Sequence, residues 1–355
     1  MGKKVVVGMS GGVDSSVAAC LLKQQGYEVI GVTMQIWQDG METAEGSCCG
    51  IQAVEDAGRV AAMLDIPYYV MNFKDVFQNK VIDYFVREYL RGRTPNPCNA
   101  CNRYVKWEAL LERSLQIGAD YIATGHYARI DRLPDGRYAV KNSVTAAKDQ
   151  TYALYALTQE QLSRTLMPVG DYTKEEIRHM AKEWGLPVAK KPDSQDICFI
   201  PDGDYGAFLE KEVPEAMPGP GNFVDKEGRV LGRHKGVTHY TIGQRKGLGL
   251  AMGHPVFVSA LRPETNEVVI GEDADIRSTQ VLCEDIHYMA MEDLISPRRA
   301  TVKIRYAHAG APCLLEKQPD GRILCTFDEP VRAATPGQAA VFYEDGYVLG
   351  GGTIV

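Results

Sequence analysis

The sequence predicts an α/β protein in which a doubly wound parallel sheet at the N-terminus is followed by two small β-rich domains. Up to about residue 130, short β-branched runs alternate with helical patterns, the rhythm of parallel strands joined by helices. A turn rich in glycine and serine, SGGVDSS, sits at the first strand-to-helix junction. Past Tyr205 the texture changes to short alternating strands separated by turns, the pattern of small barrels or sandwiches.

Taken in order, KKVVVGMS reads as a strand, Val13 to Gln25 as a helix, EVIGVTMQIW as a strand and Ala53 to Leu64 as a helix. IPYYVMNF is a third strand, Val105 to Ile117 a helix and DYIATGHYARI a further strand. Ligands of such sheets sit beyond the carboxyl ends of the strands, so Ser10 to Ser15, Met34 and Thr124 to His126 are expected to face one crevice. The Pro/Gly cluster VPEAMPGPGN and the basic run GVTHYTIGQRKGLGLAMG mark a second unit. ATVKIRYAH, RILCTFDE and AAVFYEDGYVLGGGTIV mark a third. The expected boundaries are 1–202, 203–277 and 278–355. In Thr301 to Tyr306, alternation places Lys303 and Arg305 on one strand face and Val302, Ile304 and Tyr306 on the other.

With 355 residues, 45% hydrophobic and 24% charged, the chain has enough apolar material for two or three cored domains, and disorder is not expected. The N-terminus runs straight into an apolar strand without a signal-peptide pattern, and no stretch approaches the roughly 20 apolar residues that span a bilayer. A cytoplasmic address with no membrane partner follows. The nine cysteines are then read as buried hydrophobes, ligands or reactive thiols rather than a disulfide framework. A net charge of −7 excludes a uniformly basic coat, yet allows local patches that follow a phosphate backbone.

SGGVDSS, residues 10 to 16, has the composition of a phosphate cradle: glycines let backbone N–H groups close on an anion, and the helix N-terminus adds positive potential. It lacks the GxxxxGK[ST] pattern and with it the lysine that clasps β- and γ-phosphates. The plainer alternative is a glycine-rich turn with Asp14 or Ser15 as N-cap.

TPNPCNACN, residues 94 to 102, sets Cys98 and Cys101 two residues apart behind two prolines, and Cys198 waits in KKPDSQDICFIPDGDY. The pair admits a metal clamp, a redox switch or catalytic thiols. Cys20 on the first helix fits core packing, and Cys283, Cys313 and Cys325 in apolar strands read as buried thiols. Cys48 and Cys49, in the polar loop EGSCCGIQ, read as structural.

SGGVDSS resembles the pyrophosphate loop of enzymes that split ATP between the α- and β-phosphates, which include asparagine, GMP and NAD synthetases and several tRNA-modifying enzymes. The whole chain, through GMSGGVDSS, TPNP-x-x-x-CN, ATGHYAR, KDQTY, KPDSQDICF, YTIGQRKGLG, the IRY run and TPGQ-A-VFY, resembles the bacterial tRNA-specific 2-thiouridylases. The resemblance implies an ATP pyrophosphatase domain of the adenine nucleotide alpha hydrolase kind. It further implies ATP and Mg²⁺ as cofactors, Asp14 helping to hold the metal, and the wobble uridine of tRNA as substrate, adenylated at its C2 oxygen and then thiolated.

By the same resemblance Cys101 aligns with the catalytic cysteine and Cys198 with the persulfide carrier, and one route leaves a Cys101–Cys198 disulfide. Gly8, Met9, Ser10, Gly11, Gly12, Val13, Asp14, Ser15, Met34 and Gly125 would contact ATP. Asn96, Pro97 and Cys98 would border the target base, and His126, Lys148, Asp149, Gln150, Arg305, Tyr306 and Gln338 would touch tRNA. A sulfur donor, such as a cysteine desulfurase or a relay protein, is the second implied partner. A thiolate nucleophile needs its pKa lowered from about 8.5, which Arg103 and Lys106 could supply.

This chain departs from the family pattern at Cys98, where many members carry aspartate. Cys98, Cys101 and Cys198 could hold three corners of a [4Fe–4S] cluster whose open iron carries the sulfide. Arg87, Arg91, Arg93, Arg233, Lys235, Arg245 and Lys246 could track the RNA backbone. Two rival readings remain: an amide-forming synthetase acting on a small carboxylic acid, which leaves the three cysteines unexplained, and a non-catalytic iron–sulfur RNA-binding protein, which leaves SGGVDSS without work.

Overall fold

A computed structural model describes residues 2–37, 50–193, 197–200 and 202–355. The reading of Cys48 and Cys49 falls outside them. Val5, Val6 and Val7 are fully buried, and successive strand side chains point to opposite faces. Val5 and Val7 therefore enter one apolar cluster and Val6 another. This is the physical meaning of a doubly wound sheet: its central strand has no polar face to spare.

Five parallel strands form the sheet, in the order Tyr68–Asn72, Glu28–Gln35, Lys4–Gly8, Tyr121–Ala123, Thr165–Leu166. The helices Val13–Gln24, Ile51–Met63 and Lys174–Glu183 supply residues to the core on the Val5/Val7 side. The helical run 74–90 and the helix through Cys101–Leu110 supply the other. In that second layer Trp107 is fully buried and donates its indole N–H to Thr165 Oγ1 at 2.8 Å.

DYIATGHYARI is not one strand. Tyr121–Ala123 ends the parallel run, while Ala128–Arg132 pairs antiparallel with Tyr138–Asn142 in a different sheet. The cause lies at Gly125, where a Cβ would come within 2.6 Å of Ser15 N. The chain presses against the phosphate loop there and leaves the sheet plane.

The central segment forms a four-stranded sheet, ordered Phe257–Arg262, Glu267–Gly271, Gly221–Val224, Val230–His234, around Phe223, Val237, Val258 and Val268. The C-terminal strands close on themselves. Arg277–Tyr288 pairs with both Ile323–Arg332 and Tyr347–Ile354, making a six-stranded antiparallel barrel. Ala128–Arg132 and Tyr138–Asn142 attach to this barrel through Tyr347 and Lys141, so the N-terminal part of the chain completes the C-terminal sheet.

The barrel also holds the TPNP segment. Thr94 N–H donates to Pro336 O at 2.8 Å, and Gln338 Nε2 donates to Thr94 O at 2.8 Å. Gly337, at φ +90°, brings its Cα close enough that a Cβ would lie 3.0 Å from Thr94 N. Only glycine combines that conformation with that approach. Among the described residues no helix is long and apolar enough to cross a membrane.

Candidate functional site

At the carboxyl end of Lys4–Gly8 the chain turns through Gly11, whose φ of +65° and 2.4 Å virtual Cβ contact with Ala53 O require glycine. The serines shape the loop. Ser10 N–H donates to Ser15 Oγ at 3.1 Å, and Ser16 Oγ donates to Gly12 O at 2.8 Å. Gly12 is the N-cap, so neither Asp14 nor Ser15 caps the helix as the plainer reading had it. Beside the loop lies a cavity of about 240 Å³, lined on this side by Ser10, Gly12, Val13 and Asp14.

The opposite wall of that cavity comes from distant segments: Tyr127, Lys148, Gln150, Lys191, Asp193 and Tyr306. Several of them join Asp14 in one network. Asp14 Oδ1 accepts from Tyr127 OH at 2.8 Å and from the buried Lys174 ammonium at 2.7 Å. Lys174 also pairs with Asp193 at 2.8 Å, which binds Arg178 at 2.8 Å and Lys148 at 3.0 Å. Burial pushes the Asp193 carboxyl up, but hydrogen bonds and charge from Lys174 and Lys148 outweigh it and hold the group at about 2. Lys191 donates to Gly11 O at 3.1 Å and pairs with Asp56 at 2.8 Å. Burial, then the charge and hydrogen bond of Asp14, raise the Tyr127 phenol, which stays a donor.

Such a cavity suits a polyphosphate: backbone amides and two lysines meet the anion, while Asp14 and Asp193 offer hard oxygens to Mg²⁺ alongside the phosphates. Gly125 touches the loop directly. Met34 lies half-buried on its strand beside Met71. His126 accepts from or donates to Thr124 Oγ1 at 2.7 Å and its ring meets Trp107 at 5.4 Å. Burial first, and the Lys106 charge second, keep this imidazole neutral well below its usual pKa.

The KDQ segment faces this cavity through Lys148 and Gln150. Gln150 Oε1 accepts Tyr127 N–H at 2.9 Å, while Asp149 accepts Ser143 N–H at 2.9 Å and Thr151 N–H at 3.2 Å inside its own turn. The IRY run corrects the alternation expected for it. The strand ends at Lys303; Val302 and Ile304 are fully buried, yet Tyr306 turns outward, 49% exposed, and lines the cavity. Arg305 donates to Arg332 O at 2.8 Å.

Cys98 and Cys101 begin a helix that Asn96 caps, its Oδ1 accepting Cys98 N–H at 3.0 Å and Asn99 N–H at 3.2 Å. From Cys101 to Leu110 the hydrogen bonding is of the wide π type, a geometry frequent at functional sites. Cys98 is exposed. Cys101 and Cys198 are half-buried and pack on the same apolar core. Phe199 fixes the Cys198 segment there by edge contacts with Phe77 at 5.7 Å and Phe85 at 5.4 Å.

Arg103 pairs with Asp285 of the barrel at 2.8 Å, which offsets its charge, and Lys106 donates to Asn102 Oδ1 at 2.8 Å. Among the described residues no three His, Cys, Asp or Glu side chains are gathered to hold a metal ion. Cys20, Cys283, Cys313 and Cys325 are buried as expected, and burial raises the Cys20 thiol to about 11.

A second cavity, about 620 Å³, lies along the Asn99, Ala100, Arg103 and Tyr104 side of the same helix. Of its arginines, Arg91 and Arg93 pair with Glu88 at 3.4 and 3.0 Å, and Arg93 also with Glu284 at 3.1 Å. Arg87 lies over the Tyr84 ring at 5.9 Å. Arg233, Lys235, Arg245 and Lys246 are exposed.

A parallel sheet whose first strand ends in this loop, with a cation-walled cavity beside it, defines a nucleotide-binding domain of the ATP pyrophosphatase class. Family models match along the chain: the tRNA methyl transferase HUP domain over residues 3–202, its PRC-barrel domain over 206–272 and an aminomethyltransferase β-barrel domain over 278–354. The chain is 64% identical over 356 residues to the tRNA-specific 2-thiouridylase MnmA of Lachnoclostridium phytofermentans, covering 99% of both. It is 56% identical over 354 residues to that of Clostridium perfringens, covering 99% of this chain and 98% of the relative. The chain belongs to the tRNA-specific 2-thiouridylase family.

Proposed function

We propose that this chain is an ATP-dependent tRNA-uridine 2-sulfurtransferase acting in the cytoplasm on the wobble uridine, position 34. The observation that carries the reading is the place of Tyr306. It lines the phosphate-loop cavity together with Lys148 and Gln150, so segments that the resemblance assigns to tRNA meet the loop that it assigns to ATP.

A uridine C2 carbonyl does not lose its oxygen as hydroxide. The oxygen attacks the α-phosphate of ATP, pyrophosphate departs into the cradle of Ser10 to Ser15, and the base is left as an adenylate. Lys148 and Lys191 offset the charge on the departing phosphates, and the neutral His126 offers an uncharged hydrogen-bonding edge. Asp14 and Asp193 would hold Mg²⁺, which neutralises phosphate charge when bound. Sulfur then displaces AMP.

We assign the sulfur to a persulfide on Cys198, which like Cys101 is half-buried against the apolar core. A cysteine desulfurase or relay protein charges it, and Cys101 is the attacking thiol. In this reading residues 1–202 carry the chemistry, while 203–277 and 278–355 help grip the tRNA. Asn96 to Cys98, Lys148 to Gln150, Arg305, Tyr306 and Gln338 lie at or near the path of the anticodon loop. The target base there is unpaired and inexpensive to turn out.

The test is the fate of the uridine oxygen. With tRNA carrying ¹⁸O at C2, the label should appear in AMP. Label-free AMP with 2-thiouridine formed would overturn the adenylate, and AMP release driven by a small carboxylic acid in place of tRNA would favour the synthetase.

A further inference from the structure

We propose that Cys98 is the resolving thiol of this site, transferring the disulfide made at half-buried Cys101 to the surface. The proposal rests on the persulfide reading above.

Cys98 and Cys101 stand one turn apart at the capped start of a helix. Helical residues three apart hold their Cβ atoms about 5–6 Å from each other, and a disulfide asks for about 3.5–4.5 Å. A tightening of about 1 Å in the first turn therefore closes the pair. That turn belongs to a four-residue segment, Pro97–Ala100, which leads into wider π-type winding. It is anchored at its start by the Asn96 cap and by the barrel's grip on Thr94 just before it. The two thiols differ in surroundings: Cys101, like Cys198, is half-buried against the apolar core, whereas Cys98 is exposed.

The electron balance is complete. Cys101 thiolate attacks the inner sulfur of the Cys198 persulfide; a Cys101–Cys198 disulfide forms and hydrosulfide leaves. Hydrosulfide attacks C2 of the adenylated uridine and expels AMP. The sulfane sulfur has been reduced and two thiols oxidised. Cys98 thiolate then attacks Cys101 Sγ, forming a Cys98–Cys101 disulfide and releasing Cys198 as thiolate, ready for a new persulfide. An external dithiol reduces the exposed pair and resets the enzyme. Without Cys98, that reductant must reach a disulfide packed on the core.

The experiment is one turnover of full-length protein charged with persulfide at Cys198 by a cysteine desulfurase. It is run anaerobically with ATP and tRNA, without added thiol, then quenched with iodoacetamide and mapped unreduced. Cys98 and Cys101 share the tryptic peptide 94–103, so the outcomes separate cleanly. The expected result is an internal disulfide in that peptide, about one per 2-thiouridine formed, with Cys198 alkylated; Cys98→Ser instead accumulates a cross-link from Cys101 to Cys198 per 2-thiouridine formed. A wild-type cross-link between Cys101 and Cys198 with Cys98 alkylated overturns the resolving role, as does 2-thiouridine formed with no disulfide. Wild-type protein that makes no 2-thiouridine sinks the functional reading, and this proposal with it.

Discussion

The Lys174 ammonium sits 2.7 Å from the Asp14 carboxylate, buried at the foot of the phosphate loop, and reaches Asp193 at 2.8 Å on its other side. One cation thus joins the loop that would hold pyrophosphate to the segment that leads to Cys198. Lys174→Met leaves Asp14 without a cation and Asp193 with only Arg178 and Lys148. A fully buried broken pair costs about 3–5 kcal/mol, and since Asp14 and Asp193 keep partial solvent contact, about 2 kcal/mol is expected. Urea unfolding should show a lower midpoint at unchanged slope, and ATP affinity should fall at least tenfold. An unchanged midpoint would mean the network is not a structural tie.

The acid limb of stability reports Asp193. Its carboxyl is held at about 2 in the folded protein against 3.8 ordinarily, so the unfolded chain binds more protons between those values. The stabilisation is fully present above about pH 3.8 and is lost as pH falls through about 2, a swing of roughly 2 kcal/mol. Asp193→Asn should flatten that limb in unfolding experiments from pH 5 to 2. An identical slope in the variant would remove Asp193 from the network.

Gly125 is a steric prediction. Its virtual Cβ meets backbone, 2.6 Å from Ser15 N and 2.7 Å from Asp14 C, atoms that cannot rotate away. Gly125→Ala should displace the loop, raising the ATP KM more than tenfold while melting shifts by a few degrees. Normal ATP kinetics would show that the loop has slack there.

The alternation of strands and helices made the parallel sheet legible, and SGGVDSS made its phosphate site legible, because both are local patterns. The opposite wall was not. Lys174 lies in an ordinary capping box, and Lys191 and Asp193 stand in KKPDSQDICF, where Cys198 drew the attention; only tertiary folding brings them to Asp14. DYIATGHYARI looked like one strand because its apolar pattern is continuous, and the break at Gly125 depends on contact with a loop more than a hundred residues earlier. Arg103 and Arg93 looked free to meet a thiolate or a phosphate, yet Asp285 and Glu284 of the barrel claim them.

The exposed cations of the central domain remain as RNA contacts. Reversing both Arg245 and Lys246 to glutamate should weaken tRNA binding and lower the slope of log affinity against log salt by about one to two. Equal affinity and slope would place the RNA elsewhere.

The most direct measurement is 2-thiouridine itself, by mass spectrometry of digested tRNA after incubation with ATP and a persulfide source. Wild-type protein should yield it only when ATP is present, and Cys101→Ser and Cys198→Ser should each lower the yield at least a hundredfold. ATP-independent product, or full yield from either cysteine variant, would contradict the account.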